Sequence, residues 1–212
     1  AIGWILSVSA HVSALEGAVL PIREPSAVVM PLLALGGLWL VIWQGIARWA
    51  GLGVMGLGLF LWTISPRPDL LIAPEAEVVG VMQDGHRVLS RARAGSFVAT
   101  SWLRADGDGA SQQVAHARSG YDPRATIVHL QGNGFDVVHL AGKRAAERLE
   151  TYCQPGRIVV LTEPPELRPV NCEIITPQDL RASGARAYVN RNGRVEIRTV
   201  AQASGRRHWT RP

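Results

Sequence analysis

Two histidines, His129 and His139, flank a glycine-rich turn in "TIVHLQGNGFDVVHLAG", residues 126–142. Imidazoles so placed could start a metal centre. A catalytic zinc takes about three protein ligands and keeps one position open. Hairpin geometry decides what this pair can supply. A three-residue turn, Gly132-Asn133-Gly134, puts both rings on one face but on a diagonal, with Asp136 on the opposite face. A two-residue turn puts the rings on opposite faces. Neither register completes a ligand set, so the residues favour two strand histidines over a metal site. The alternative is a metal-dependent phosphodiesterase or nuclease with atypical ligands drawn from His116, Asp122, His129 and Asp136.

Other chemistry is sparse. His11, His86, His116 and His208 are scattered and form no HxH, HxxE or HExxH pattern. A GxSxG nucleophile elbow and a Walker loop are absent. Gly51, Gly53 and Gly56 spell GxGxxG, but inside an apolar run with no strand before it, so a dinucleotide site is excluded. Arg206, Arg207, Trp209 and Arg211 combine charge with an aromatic ring, the composition that contacts single strands and phosphates; a frayed basic tail is the plainer reading. Cys153 and Cys172 lie outside any CxxC or Cys/His pattern. Their spacing leaves a disulfide and a pair of buried thiols equally open.

The elements that would carry these residues begin after "SPRPDLLIAPE", a proline-rich boundary. "EVVGVMQDGHRVLSRA" reads as a hairpin around Asp84-Gly85, and "SFVATSWLR" as a helix from Ser96 to about Gly107. "GDGASQQVAHARSGYDP" reads as a polar loop. After the histidine hairpin, "KRAAERLETYC" reads as a helix with Ala145, Ala146, Leu149 and Tyr152 on one face, and "RIVVLTE" as a buried strand. "CEIITPQDL" is a strand running into a turn. "ARAYVNRNGRVEIRTV" is a hairpin around Asn192-Gly193. Strand pairs mixed with helices predict an α+β or layered α/β domain over residues 69–212.

Residues 1–68 are different. Only Glu16, Arg23, Glu24, Arg48 and Arg67 are charged there, which leaves 19 of the 22 basic and 15 of the 17 acidic residues to the rest of the chain. The mean hydropathy of +0.10 averages over that split. "SAVVMPLLALGGLWLVIWQ", Ser26–Gln44, holds no charge over nineteen positions, enough to cross about 30 Å of hydrocarbon. "LGVMGLGLFLWTIS", Leu52–Ser65, is a second uncharged run. The expectation is a helical hairpin across a bilayer, preceded by an apolar segment. Arg23, Arg48 and Arg67 put positive charge on both sides, so charge does not orient it. The chain opens inside an apolar run without a basic n-region, which reads as the C-terminal part of a longer protein rather than a signal peptide. A net charge of +5 permits contact with nucleic acid or anionic lipid.

Apolar helices, a proline-rich exit and a terminal α+β domain, in this order, resemble the C-terminal portion of the ComEC-type DNA-uptake channels of competent bacteria. The resemblance rests on "DLLIAPEAEVVGVMQDGHRVLS", on "CQPGRIVVLTEPPELRPVNCEIITPQDL" and on the closing "DLRASGARAYVNRNGRVEIRTV" followed by "GRRHW". It implies a degenerate metallo-β-lactamase-like domain of αββα type. The HxHxDH metal run of active members is absent, so the resemblance carries over architecture and pathway, without a cofactor or nuclease activity. It implies a multi-pass protein of the bacterial inner membrane with the soluble domain on the periplasmic face. The implied partners are single-stranded DNA, lipid and other competence proteins. In that compartment Cys153 and Cys172 become a disulfide candidate.

Overall fold

The structure is a computed structural model that describes residues 2–15, 20–165, 168–169, 171–191 and 193–205. Three apolar helices come first: α1 (Ile2–Ser13), α2 (Val29–Ile42) and α3 (Ala50–Thr63), the last preceded by a 3₁₀ turn at Ile46–Trp49. No residue of α1 is buried. Helices α2 and α3 pack antiparallel through glycine. A Cβ at Gly51 would stand 2.5 Å from the Gly36 carbonyl oxygen, and one at Gly36 would stand 2.7 Å from Met55 Cγ. Backbones meet this closely only where side chains are missing, as in packed membrane helices. The outward faces stay apolar: Val41 is 82% exposed and Phe60 60%.

The first helix of the hairpin is shorter than its composition predicts. Of the uncharged run 26–44, only Val29–Ile42 is helical, because the chain turns extended at Trp43 and Gly45 takes a φ of +80°. Among the described residues one helical stretch, Ile46–Thr63, is long and apolar enough to cross a membrane. Polar contacts tie the hairpin to its flanking segments and to the α+β part. Trp62 Nε1–H donates to the Arg23 carbonyl at 2.8 Å, Ser26 N–H to Ser65 Oγ at 3.1 Å, and Glu24 N–H to the Ala105 carbonyl at 2.8 Å.

The rest is an α+β arrangement of two sheets. One contains β1 (Leu70–Ile72), β2 (Val79–Gln83), β3 (His86–Leu89), β8 (Arg186–Arg191) and β9 (Arg194–Thr199), ordered β3-β2-β1-β8-β9 and wholly antiparallel. The other is mixed: β4 (Ile127–Gly132) runs antiparallel to β5 (Phe135–Leu140), which runs parallel to β6 (Ile158–Leu161) and β7 (Glu173–Ile175). Alternate residues of the two sheets, among them Leu70, Val79, Val81, Val128, Leu130, Val137, Val160 and Tyr188, form one buried core between them. The outer face of the antiparallel sheet packs on α4 (Ser96–Ala105) and α5 (Gln112–Ala117) through Leu89, Ala99, Leu103 and Ala115. The outer face of the mixed sheet packs on α6 (Lys143–Ala146) and α7 (Leu149–Tyr152) through Val138, Leu140, Leu149 and Val159. Helices α8 (Pro177–Ser183) and α9 (Val200–Ser204) each open on a threonine capping box, Thr176 with Asp179 and Thr199 with Gln202.

Particular residues fasten the sheets together. Tyr188 meets Phe135 edge-on at 6.0 Å and its hydroxyl donates to Glu173 at 2.9 Å. Gly132 is a strand residue and not part of the turn. A Cβ there would stand 2.3 Å from the Met82 carbonyl, so only glycine lets the two backbones approach. Asp69 accepts from the Asn190 N–H and from the Asn133 side-chain amide, both at 2.7 Å, joining the start of β1 to β8 and to the histidine hairpin.

Cys153, at the end of α7, and Cys172, just before β7, form a disulfide. It fastens both connections that cross the mixed sheet. With a sequence separation of 19 it removes loop entropy from the unfolded chain worth about 3 kcal/mol. Chemical unfolding of the detergent-solubilised chain with reductant is expected to show that loss; an unchanged midpoint would mean the bridge adds nothing.

Candidate functional site

The β4–β5 register settles the histidine pair. Gly132 opposes Phe135, so the turn is Asn133-Gly134 alone, with φ of +47° and +84°. This is the two-residue register, and the rings lie on opposite faces. His129 is on the outer face of the mixed sheet, where its Nε2 contacts Asp136 Oδ1. Arg157 Nε donates to the other oxygen of Asp136 at 3.0 Å. Burial pushes the Asp136 carboxyl up, but the hydrogen bonds from His129 and Arg157 outweigh it and hold the group below its ordinary value. Asp136 therefore stays charged as a partner for His129 and Arg157. It shares the outer face with His129, contrary to its placement in the three-residue register.

His139 faces inward and is 1% exposed. Its Nε2 must donate to the Ala76 carbonyl at 2.9 Å, since a carbonyl only accepts. Its Nδ1 then accepts from the Ser90 hydroxyl at 2.8 Å, and Ser90 Oγ accepts from the Val79 N–H at 2.9 Å. Every polar atom of the neutral ring is used. Ala76 holds φ at +57°, a strained angle for alanine that aims its carbonyl at the ring. Burial, helped by the charge of Arg91, lowers the His139 pKa from 6.5 to about 4. The unfolded chain thus binds this proton more readily than the folded one. Stability is full above pH 6.5 and is lost as pH falls through that window to about 4. The whole span amounts to about 3 kcal/mol. Unfolding midpoints measured across that range should fall toward acid, and His139→Gln should flatten the profile.

His116 sits elsewhere, on α5 behind the antiparallel sheet, and Asp122 lies exposed in the next loop. The set His116, Asp122, His129 and Asp136 does not converge. Among the described residues no three His, Cys, Asp or Glu side chains come together as a metal group. Arg206, Arg207, Trp209 and Arg211 lie outside the described residues.

What the fold does assemble is a cationic end. The C-termini of β3 and β5 and the N-terminus of β4 meet there, joined by the Ala141 N–H to Thr126 carbonyl bond at 2.8 Å and by Arg91 Nη1 donating to the Ala125 carbonyl at 2.6 Å. A cleft of about 600 Å³ opens beside them, lined by Thr126, Ile127, Ala141, Gly142, Lys143, Arg144 and Arg148. Gly142, with φ of +92°, turns the chain from strand into helix and leaves the floor open. The arginine ion pairs among the described residues use Arg87, Arg118, Arg157, Arg168, Arg191 and Arg198. Arg93, Arg124, Lys143, Arg144 and Arg148 are exposed and in none of them. Exposed cations of this kind can meet an anion spread along a backbone, although Glu147, Glu150 and Glu163 line a neighbouring cleft with Lys143. The sequence signal was the polar face of "KRAAER", whose apolar face alone reads as structure.

The chain matches no family model, no curated protein and no solved structure. The geometry of its own residues is therefore the ground for a functional reading.

Proposed function

We propose that this chain is the C-terminal part of an inner-membrane DNA-uptake channel. The hairpin of α2 and α3 lies in the bilayer. The α+β part is a non-catalytic, metallo-β-lactamase-like domain that guides single-stranded DNA along its cationic end. The observation that carries this reading is the cleft lined by Lys143, Arg144 and Arg148, with Arg93 and Arg124 exposed and likewise outside the ion pairs of the described residues. Support comes also from the apolar outer faces of the hairpin and from helices covering both outer sheet faces. The Cys153–Cys172 bridge suits an oxidising compartment outside the cytoplasm. Phosphate contacts by side chains of this kind position a strand without reading its sequence.

The test is fluorescence anisotropy of the detergent-solubilised chain with a labelled single-stranded oligonucleotide across a salt series. Each phosphate contact contributes about −0.7 to the slope of log K against log salt for a single strand. Engagement of the three cleft cations predicts a slope of about −2 or steeper. No binding at low salt rejects the proposal and leaves a membrane-anchored domain without a nucleic-acid role.

A further inference from the structure

The same end of the domain holds a second cleft, of about 380 Å³, lined by Ala92, Arg93, Gln113, His116, Tyr121 and Pro123 among others. It is joined to the cationic cleft by the loop of residues 120–126, which lends Tyr121 and Pro123 to one and Thr126 to the other. Its volume lies within the range of small-molecule sites, about 300–1,000 Å³. His116 is 2% exposed, and its Nδ1 donates to the Leu89 carbonyl at 3.0 Å. That bond fixes the tautomer, so in the neutral ring Nε2 is a bare acceptor. It is buried and has no partner among the described residues. Buried polar atoms almost always have one. His139, on the other side of the same sheet, has both nitrogens satisfied, so an orphaned imidazole is not a general habit of this fold.

Three different chemistries therefore line one cleft. Nε2 of His116 calls for an N–H or O–H donor. The Arg93 guanidinium calls for an anion. The Tyr121 ring, 38% exposed, offers a flat apolar face. A nucleotide supplies all three, with a phosphate, a planar base and N–H groups on the base edge. We infer that this cleft takes one nucleotide of the passing strand, the base lying on Tyr121 and donating to His116 Nε2, the phosphate meeting Arg93. The inference rests on the reading that the domain carries single-stranded DNA, and it adds that the domain grips the base as well as the backbone.

The experiment compares, on the full chain in detergent, an ordinary single strand, an abasic strand of equal length and charge, and the free deoxynucleoside monophosphate. The wild type is expected to prefer the base-bearing strand about tenfold. His116→Asn keeps a donor for the Leu89 carbonyl and removes the acceptor at the Nε2 position, and Tyr121→Ala removes the ring. Each should abolish the preference while the salt slope stays unchanged. Retention of the preference in His116→Asn overturns the inference. So does equal binding of the two strands by the wild type, which leaves the backbone-guiding reading intact, or binding of the free nucleotide as tight as the strand. Binding of neither strand at low salt overturns both. His116→Phe gives a structural control. That variant also loses the donor to the Leu89 carbonyl, so its binding is the readout: if the nitrogen serves no ligand, the preference for the base-bearing strand is unaltered, and this result also overturns the inference.

Discussion

Asp106→Ala should destabilise the domain by about 3–5 kcal/mol, the largest single-residue effect expected in the chain. Arg87 is fully buried in β3, and its guanidinium is bound by Asp106 through Nε and, at 3.0 Å, through Nη2. The remaining donors reach the Pro68 carbonyl at 3.0 Å and the Gly80 carbonyl at 3.3 Å. Gly80 is required there, since a Cβ would stand 2.9 Å from Arg87 Cδ. Removing the carboxylate leaves a charge in the interior with two carbonyls for company, and desolvation is then uncompensated. Chemical unfolding of the variant should show the lost midpoint. The double variant Arg87→Met with Asp106→Leu should recover most of it, because the isolated charge is what costs. A single variant as stable as the wild type would show that the pair is solvated and that the Pro68–Asp106 junction is loose. The junction joins two parts of the fold, because Pro68 ends the segment leaving the hairpin and Asp106 caps the C-terminus of α4.

The triple reversal Lys143→Glu, Arg144→Glu, Arg148→Glu should weaken single-strand binding by roughly a hundredfold or more at about 50 mM salt. It should also reduce the slope of log K against log salt by about 2, because three contacts are lost at about 0.7 each. All three side chains are exposed, so the fold should tolerate the change, and an unaltered unfolding midpoint would confirm that. Uniform weakening across strand sequences is expected, since phosphate contacts carry no base information. If affinity survives the reversal, the strand runs elsewhere and the cleft is an ordinary solvated surface.

What the residues announced in advance was local. Asp84-Gly85 makes the β2–β3 turn with φ of +49° and +81°, and Ser96 begins α4. Helix α5 was hidden in a stretch read as loop because its buried residues, Gln112, Ala115 and His116, are small or polar, so hydrophobic periodicity is silent. The helix predicted over "KRAAERLETYC" is broken into α6 and α7. The strand–turn reading of "CEIITPQDL" missed α8, whose Pro177 stands at the first helical turn after its cap. The histidine register could not be read locally. Two glycines around Asn133 allow either turn, and the choice falls on Asn133-Gly134 because Gly132 is needed in the strand where Met82 approaches. That contact spans about fifty residues of sequence, and nothing near the turn encodes it. The clefts were hidden for a nearer reason: Arg93, His116 and Tyr121 meet only once α5 forms, and Thr126 meets Lys143 only once β4 pairs with β5.

Photocrosslinking of an iodouracil-substituted single strand to the full chain in detergent, with adducts mapped by mass spectrometry, tests the cationic end most directly. Adducts are predicted at Tyr121 and in the peptides that span 120–126 and 141–148. Efficient crosslinks confined to the far end of the sheets, around Asn133 and Gly193, would contradict it.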